Sequence, residues 1–423
     1  MSRFSNAVFT AALTASLVAC GGGGGGGGGS LPPPAGGGGG TPQLPSPASA
    51  PALKTVIATN FGVANFPIGA AIEVASTGGP DSAILIKHFS SITAENAMKP
   101  DTIWPNIPGT APGQPAAQPN FGPADALVAF AAANNMQVRG HTLLWHQTVP
   151  TWMVVGDLSD AANYRVTVQQ HLRDYITAVM THFPNVYAWD VVNEVATDTP
   201  NAVDPYRHDS LWYAAYENGG MSGKDYVADA FTIAADVRAH LPGGKNSANM
   251  KLMLNDYNTE IPGKRANVLK IVKELIDAGV PIDGVGHQFH LSLGADVSQV
   301  TAAFAAVEAL SSTLTNHVTE LDVSIYADPG TCFAQRTIPP CLPDLGASPT
   351  QAVLSQQATL YRALFTAFKR PSVTSVSLWG VADNHTWLNS WPVTRTNRPL
   401  LFDTAGNPKW AFWTVVDSSI TVP

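Results

Sequence analysis

From about Thr55 onward, short apolar or β-branched runs alternate with longer segments that have helical periodicity. Short apolar runs bounded by polar loops predict strands that are buried in a parallel sheet. These runs are Phe66–Ile72, Ser91–Met98, Gln137–Leu144, Val186–Glu194, Lys251–Tyr257, Asp283–His290, His317–Val323 and Thr374–Val381. The segments between them predict helices at Tyr164–Phe183, Tyr226–Leu241, Lys264–Ala278, Val297–Leu314 and Gln351–Phe368.

Eight strands in alternation with helices predict an α/β fold, a single (β/α)8 TIM barrel over residues 55–423. A doubly wound sheet would give a similar alternation. No Gly-rich phosphate-binding loop follows the first predicted strand, however, which disfavours that fold. Because the strands of such a barrel end at one mouth, side chains at the strand ends are the candidates for function.

The N-terminal residues do not follow this pattern. Residues 1–19 combine one cation, Arg3, with an apolar stretch too short to anchor the chain across a membrane, and they predict a signal peptide of the lipoprotein type. Leu17–Cys20 resembles the bacterial lipobox, so we expect Cys20 to be acylated. An ordinary secretory signal is the alternative. Residues 20–54 are rich in Gly, Pro and Ser, with nine consecutive glycines, and predict a disordered tether.

Composition limits the class of partner. The net charge of −8 and the absence of a basic block argue against a polyanion such as nucleic acid. A hydrophobic content of 45% and a mean hydropathy of +0.05 are typical of a globular domain with a large core. Of the three cysteines, Cys332 and Cys341 lie nine positions apart and can pair in an oxidising compartment, which leaves Cys20 as the odd one.

Two carboxylates stand at the ends of strand-like runs: Glu194 closes the fourth run and Glu320 lies within the seventh. In a parallel barrel both would converge on the same mouth. Two carboxyl groups are what glycoside hydrolysis requires, because one protonates the leaving oxygen and the other is the nucleophile or activates a water. The pair therefore predicts a glycosidase whose two carboxyl groups titrate differently.

Seven segments at the predicted strand ends resemble, in order and placement, those of the glycoside hydrolase family 10 endo-1,4-β-xylanases. They are Thr93–Lys99, Gly140–His146, Trp189–Glu194, Asn255–Asn258, Gln288–His290, Thr319–Asp322 and Trp379–Val381. The resemblance covers essentially all of residues 55–415. It implies a catalytic domain that hydrolyses internal β-1,4-xylosidic bonds in xylan with retention, and it implies no metal and no cofactor.

The resemblance also implies roles for individual residues. Glu194 corresponds to the acid/base and Glu320 to the nucleophile, with carboxyl groups about 5–5.5 Å apart as retention requires. His290 and Asp322 would support Glu320, and Asn193 would bond the sugar 2-hydroxyl. Tyr257 matches an aromatic residue on the leaving-group side. The positions that match the non-reducing-side subsites are Glu95, Asn96, Lys99, His141, Trp145, Gln288, Trp379 and Trp387.

Histidines at the strand ends invite a metal-site interpretation, with His141, His146, His287 and His290 as candidates. Strand alternation argues against it, because Gln288 and His290 share a face whereas His287 points to the opposite one. We interpret His240 and His317 as ordinary surface or capping residues. Catalysis by a Ser/His/Asp arrangement has no supporting Gly-x-Ser-x-Gly motif.

Two other functions stay open: a retaining β-1,4-glucanase or mannanase, and a surface lipoprotein that binds glycans without cutting them. We expect the partners to be xylan and xylo-oligosaccharides, with no nucleic acid, and a monomer that contacts the membrane only through a lipid anchor. The expected location is outside a bacterial cell, at the outer membrane or cell surface, or else secreted. The disulfide would close part of a long loop from about Tyr326 to Pro349, either as a staple or as a wall of the cleft.

Overall fold

The computed structural model describes residues 43–107, 115–116, 118–241, 249–346 and 348–423. The predicted signal peptide, Cys20 and most of the predicted tether lie outside these described residues. The end of the tether does not: Ala50 is buried, and a helix begins at Leu53, whose amide donates to His88 Nδ1 at 3.3 Å. The folded domain therefore begins before Thr55, since these apolar side chains pack against the barrel's outer helices. No helix in the described ranges is long and apolar enough to cross a bilayer.

Within the described residues, eight parallel strands form a closed barrel. They are β1 (Ile68–Ile72), β2 (Ser91–Ala94), β3 (Gln137–Gly140), β4 (Ala188–Asn193), β5 (Lys251–Asp256), β6 (Gly284–His287), β7 (Thr315–Ser324) and β8 (Val373–Leu378). Each strand pairs with the next along the chain, and β8 pairs with both β7 and β1. The predicted (β/α)8 barrel is confirmed. Short strands Leu144–Trp145 and His290–Ser292 continue the barrel wall at the mouth, paired with β4 and β7.

Helices surround the barrel. In the described ranges they are Leu53–Phe61, Gly79–His88, Pro100–Ile103, Gly122–Ala133, Ala161–His182, Leu211–Asn218, Asp225–His240, Pro262–Asp277, Val297–Leu310, Gly330–Gln335, Gln351–Phe368 and Trp410–Val416. The predicted helix from Val297 ends at Leu310 rather than Leu314, because Ser311 adopts an extended conformation. The helix Gly122–Ala133 was not predicted from the sequence. It is rich in alanine, so its buried and exposed faces differ little in hydrophobicity and the helical periodicity is weak.

A polar cluster fills part of the barrel interior. Arg139 on β3 donates from Nε to Asp190 Oδ2 on β4 at 3.1 Å, and its Nη2 also contacts Asp190 Oδ1. His317 on β7 lies 2.7 Å from Arg139 Nη1. Because β3 and β7 are not neighbours in the sheet, this contact crosses the interior. The interpretation of His317 as a surface or capping residue is therefore wrong: it is buried, and burial lowers its pKa well below the ordinary value.

Register shifts in β4 and β7 decide which side chains face the interior. In β4, Asp190 and Val192 pair with consecutive residues of β5, so one extra residue is inserted. In β7, Val318 and Leu321 span three positions while their partners Val376 and Leu378 span two. A β-bulge reverses the alternation of side chains beyond it and re-aims the next residue. The shift in β7 lets Thr319 and Glu320 both reach the interior, and the shift in β4 does the same for Asp190 and Asn193.

We predict that Asp190→Asn lowers the free energy of unfolding by about 3–5 kcal/mol, because it leaves the Arg139 guanidinium buried without its counter-charge. Urea-induced unfolding followed by tryptophan fluorescence measures the effect. The matched control is Asp236→Asn, which breaks a half-exposed pair with Arg173 and should change stability by less than about 1 kcal/mol. Equal effects of the two substitutions would contradict a stabilising role for the interior pair.

Candidate active site

Glu320 on β7 is a buried carboxylate with two hydrogen-bonding partners. Asn255 Nδ2 donates to its Oε1 at 2.8 Å, and His290 Nε2 lies 3.1 Å from its Oε2. Burial alone raises the pKa of Glu320, but the hydrogen bond from His290 and the charge of His141 outweigh it and hold the pKa below the ordinary value. The carboxylate is therefore kept ionised, and its two oxygens are held in place.

His290 is itself fixed by Asp322. His290 Nδ1 lies 2.9 Å from Asp322 Oδ2, and the Trp387 indole nitrogen donates to the same oxygen at 2.9 Å. Burial lowers the pKa of His290, but the charge of Asp322 and the hydrogen bonds to Asp322 and Glu320 raise it to about 10. A protonated imidazole donates from both nitrogens, so His290 serves both carboxylates at once.

Glu194 follows the last residue of β4 and has a left-handed backbone conformation, with φ of 59°. This conformation is uncommon for a residue with a side chain and costs roughly 1–2 kcal/mol. Two hydrogen bonds hold it: the Glu194 amide donates to the Asn255 carbonyl at 2.8 Å, and Arg207 Nε donates to the Glu194 carbonyl at 3.2 Å. Consecutive residues of a regular strand point to opposite faces, so the turn brings both Asn193 and Glu194 into the cleft.

The carboxyl group of Glu194 is in a different environment from that of Glu320. Trp145 Nε1 donates to its Oε2 at 2.8 Å, and Gln288 Nε2 donates to its Oε1 at 3.1 Å. Burial raises the pKa of Glu194, and the nearby charges of Asp256 and Glu320 raise it further, against the lowering effect of the two hydrogen bonds. The pKa values of the two carboxyl groups thus shift in opposite directions, which suits one to hold a proton and the other to be a nucleophile.

A chain of side-chain amides joins the two carboxyl groups. Gln288 Nε2 donates to Asn193 Oδ1 at 3.2 Å as well as to Glu194, and Asn255 Nδ2 donates to Asn193 Oδ1 at 2.8 Å as well as to Glu320. Asn255 was not among the predicted site residues, although a polar residue closing an apolar strand was the available signal. A Cβ atom at Gly286 would lie 2.4 Å from Asn255 Oδ1, so the amide occupies its position only because residue 286 is glycine.

Four of the residues predicted for the non-reducing-side subsites, Glu95, Asn96, Lys99 and Trp145, lie together on one flank. Asn96 Nδ2 donates to Glu73 Oε1 at 2.5 Å, and Lys99 Nζ donates to Asn96 Oδ1 at 2.8 Å. Lys99 Nζ also lies 4.8 Å from the centre of the Trp145 ring. Burial, followed by the charge of Glu73, raises the pKa of Glu95. Glu73 is thus a further polar residue of this flank, which no motif indicated.

His141 and Trp379 lie between that flank and Glu320. His141 Nδ1 is 3.0 Å from Asp190 Oδ2 and 4.0 Å from Glu320 Oε1. Its ring centre is 5.3 Å from that of Trp379, in an edge-to-face arrangement. The interior pair of Arg139 and Asp190 therefore reaches the site through His141.

His287 faces away from the site, as strand alternation predicts. Its Nδ1 lies 2.8 Å from Thr259 Oγ1 and its Nε2 lies 2.9 Å from Asn316 Oδ1. The ring is buried outside the barrel, stacked against Phe289 at 5.1 Å between ring centres. His287 and His290 therefore lie on opposite faces of the barrel wall and do not converge on a common metal-binding site.

Tyr257 lies on the opposite flank in a charged cluster. Its hydroxyl donates to Asp198 at 2.7 and 2.6 Å to the two oxygens, and it accepts from Arg207 Nη2 at 2.8 Å. Lys264 Nζ donates to Asp198 Oδ1 at 3.0 Å and lies 4.2 Å from the centre of the Tyr257 ring. Asp198, Arg207 and Lys264 were not predicted, because they come from a loop and a helix that carry no strand-end motif.

The predicted disulfide between Cys332 and Cys341 is confirmed, with the two Cα atoms 4.5 Å apart. It lies in the long segment that follows β7. Cys332 and Cys341 are both buried although most of the residues between them are exposed. The bond therefore forms a local core for a surface loop.

Comparison with known proteins identifies the family. Residues 53–418 match the family model described as glycosyl hydrolase family 10. The chain belongs to glycosyl hydrolase family 10. The resemblance found in the strand-end motifs is thus confirmed over nearly the whole folded domain.

Individual family 10 proteins match at almost full length. A thermostable celloxylanase of Thermoclostridium stercorarium is 37% identical over 370 residues, which cover 84% of this chain and 85% of the relative. Endo-1,4-β-xylanase A of Caldicellulosiruptor saccharolyticus is 35% identical over 356 residues, covering 83% of this chain and 92% of the relative. The crystal structure of xylanase B from Clostridium stercorarium F9 superposes with a TM-score of 0.72 at 36% identity, covering 87% of this chain and 99% of that one. A solved complex with xylotriose has a TM-score of 0.71 at 34% identity, and the match covers 86% of this chain and 99% of that one.

We predict that Trp145→Phe moves the alkaline limb of the pH profile of kcat/KM to higher pH. The indole N–H favours the ionised form of Glu194, so its removal raises the pKa of Glu194, and the protonated enzyme persists to higher pH. The acidic limb, which depends on ionisation of Glu320, should not move. Trp413→Phe is the control, because its buried indole nitrogen has no partner in the described structure. An unchanged or lowered alkaline limb in Trp145→Phe would contradict the assignment.

Proposed function

We propose that this protein hydrolyses internal β-1,4-xylosidic bonds of xylan and xylo-oligosaccharides by a double displacement that retains the anomeric configuration. The observation that carries the proposal is a pair of buried carboxyl groups in one cleft whose pKa values shift in opposite directions: burial and nearby negative charge raise that of Glu194, and His290 with His141 lowers that of Glu320. The relatives named as endo-1,4-β-xylanases and the xylotriose complex support the choice of substrate.

In the first step, Glu320 attacks the anomeric carbon while Glu194 transfers its proton to the leaving glycosidic oxygen. The C–O bond between two xylose units breaks, and a glycosyl ester with Glu320 forms. Asn255 and His290 hold the two oxygens of Glu320, so the carboxylate is oriented before substrate arrives. Glu194 becomes a carboxylate as it gives up its proton, and the N–H donors of Trp145 and Gln288 stabilise that new charge.

In the second step, Glu194 removes a proton from a water molecule, which attacks the anomeric carbon and releases Glu320. Two inversions restore the original configuration. Asn193 Oδ1 accepts hydrogen bonds from both Gln288 and Asn255, which leaves its amide nitrogen as the group that donates to the sugar 2-hydroxyl. That contact strengthens as positive charge develops at the anomeric carbon.

The flanks supply the subsites. On the non-reducing side, Glu95, Asn96 and Lys99 provide polar groups for sugar hydroxyls, and the rings of Trp145, Trp379 and Trp387 provide planes for the C–H faces. Tyr257 would serve the leaving-group side. Its position is set by Asp198 and Lys264 rather than by packing alone.

We also propose that the protein is exported from a bacterial cell as a monomer and is held at the outer membrane by a lipid on Cys20. The supporting features are the lipobox-like Leu17–Cys20 and the Gly-rich sequence that follows it. Gly21 stands directly after the cysteine, where an Asp often directs retention in the inner membrane. The disulfide between Cys332 and Cys341 is compatible with an oxidising compartment.

Proton NMR of the product released from unbranched xylo-oligosaccharide tests the function. We predict that the β-anomer appears first and mutarotates later, because each displacement inverts the anomeric carbon. Glu320→Ala should lower turnover by about 10⁴-fold or more, since the covalent route is lost. Glu194→Ala is the matched comparison: it should lose activity on xylan but retain cleavage of an aryl xylobioside whose leaving group needs no proton. If the α-anomer appears first, the double-displacement mechanism is wrong. If no product is released, the assignment of xylan as the substrate is wrong.

Metabolic labelling with radioactive palmitate tests the anchor. We predict that the full-length protein is labelled and fractionates with the membrane, and that Cys20→Ser abolishes both. Cys332→Ser is the control, since it removes a cysteine but leaves the signal sequence intact. Label in Cys20→Ser, or its absence from the unaltered protein, would refute acylation at this position.

A further inference from the structure

The loop after β7 is fixed at its base by a buried ion pair. Arg395 Nη1 donates to Asp328 Oδ1 at 3.1 Å and to the Leu342 carbonyl at 2.6 Å. The Leu342 amide donates to Asp328 Oδ1 at 2.9 Å, and both charged side chains are almost fully buried. With the disulfide between Cys332 and Cys341, these contacts hold the loop against the segment that follows β8.

Arg336 lies at the tip of this fixed loop. Its backbone is left-handed, with φ of 53°, and its amide donates to the Cys332 carbonyl at 2.7 Å. Its guanidinium carbon lies 4.0 Å from the centre of the Trp391 ring. The side chain is exposed and forms no ion pair with a carboxylate in the described part of the chain.

Trp391 connects Arg336 to the catalytic centre. Its ring is stacked on Trp387, with 6.3 Å between centres and 24° between planes. The Trp387 ring centre lies 4.9 Å from that of His290, and its nitrogen donates to Asp322. A continuous row of rings thus runs from the residues that hold Glu320 to the cation at the rim.

Carboxylates near Arg336 on the loop are already engaged. Asp328 is paired with Arg395, and Asp344 accepts hydrogen bonds from Gly346 N at 2.7 Å and Thr396 N at 3.2 Å. Arg336 is the only Lys or Arg between Tyr326 and Gly346 in the sequence. Among the described residues no carboxylate pairs with the Arg336 guanidinium, so its solvent-exposed N–H groups are available to a ligand beside the Trp391 ring.

We infer that Arg336 and Trp391 form a subsite for a uronic-acid branch on the xylan chain. A guanidinium binds a carboxylate through two parallel hydrogen bonds, which an ammonium cannot reproduce. The indole orients the guanidinium and offers its free edge to the sugar. The inference rests on the proposed function and adds to it that acidic xylan is a favoured substrate.

Initial rates on a matched pair of oligosaccharides test the inference. One carries a glucuronosyl branch, and the other carries the same branch with its carboxyl group reduced to an alcohol. We expect Arg336→Gln to lower kcat/KM for the acidic substrate by about tenfold, because hydrogen bonds to a charged group are lost. The kcat/KM for the reduced substrate should stay within about twofold of its value for the unaltered protein. Arg336→Lys should restore only part of the preference. Added salt should weaken the preference of the unaltered protein but not that of Arg336→Gln.

Arg173→Gln is the control, because it removes one exposed arginine far from the cleft and changes the net charge equally. Thermal unfolding of each variant checks that the loop is intact. Equal loss on both substrates, or no loss on either, would overturn the inference while leaving the proposed function in place. Failure of the unaltered protein to cleave the unbranched oligosaccharide would instead overturn the proposed function, and the inference with it.

Discussion

The hydrogen bond between His290 and Glu320 is the interaction on which the rest of the site depends. It keeps Glu320 ionised inside a barrel that would otherwise favour the neutral acid. The resulting negative charge is one of the causes that raise the pKa of Glu194. His290 thus acts directly on the pKa of Glu320 and indirectly on that of Glu194, alongside burial and Asp256, and Asp322 with Trp387 holds the imidazole in place.

Backbone geometry places the two carboxyl groups. Glu194 reaches the cleft through a left-handed turn, and Glu320 reaches it through a bulge in β7. Neither position follows from regular strand alternation. The barrel provides converging strand ends, but these local departures from regularity aim the reacting side chains. The interior pair of Arg139 and Asp190 lies just below them and supports His141.

The sequence was sufficient for the barrel, for the two carboxyl groups and for the placement of His290 beside Asp322, because strand ends and motif order are local signals. It was insufficient for His317, because alternation along a short strand does not show which of its two faces points into the barrel. Asp198 and Lys264 were missed for another reason: they meet Tyr257 only because a loop and a helix fold over the same flank. Such contacts join distant parts of the chain and leave no mark on either segment alone.

The bulges also determine which kinds of genetic change the site tolerates. In β4 the extra residue is Val191, whereas in β7 the inserted position falls at Thr319 or Glu320, both of which make contacts within the site. A substitution preserves the number of residues in the strand, whereas the loss of one codon restores regular pairing and turns every later side chain of that strand to the other face. At Val191 a deletion is therefore far more damaging than a conservative substitution. Val191 can vary among apolar residues of similar size provided that the length of β4 is conserved, whereas in β7 both the length of the strand and the residues themselves are constrained.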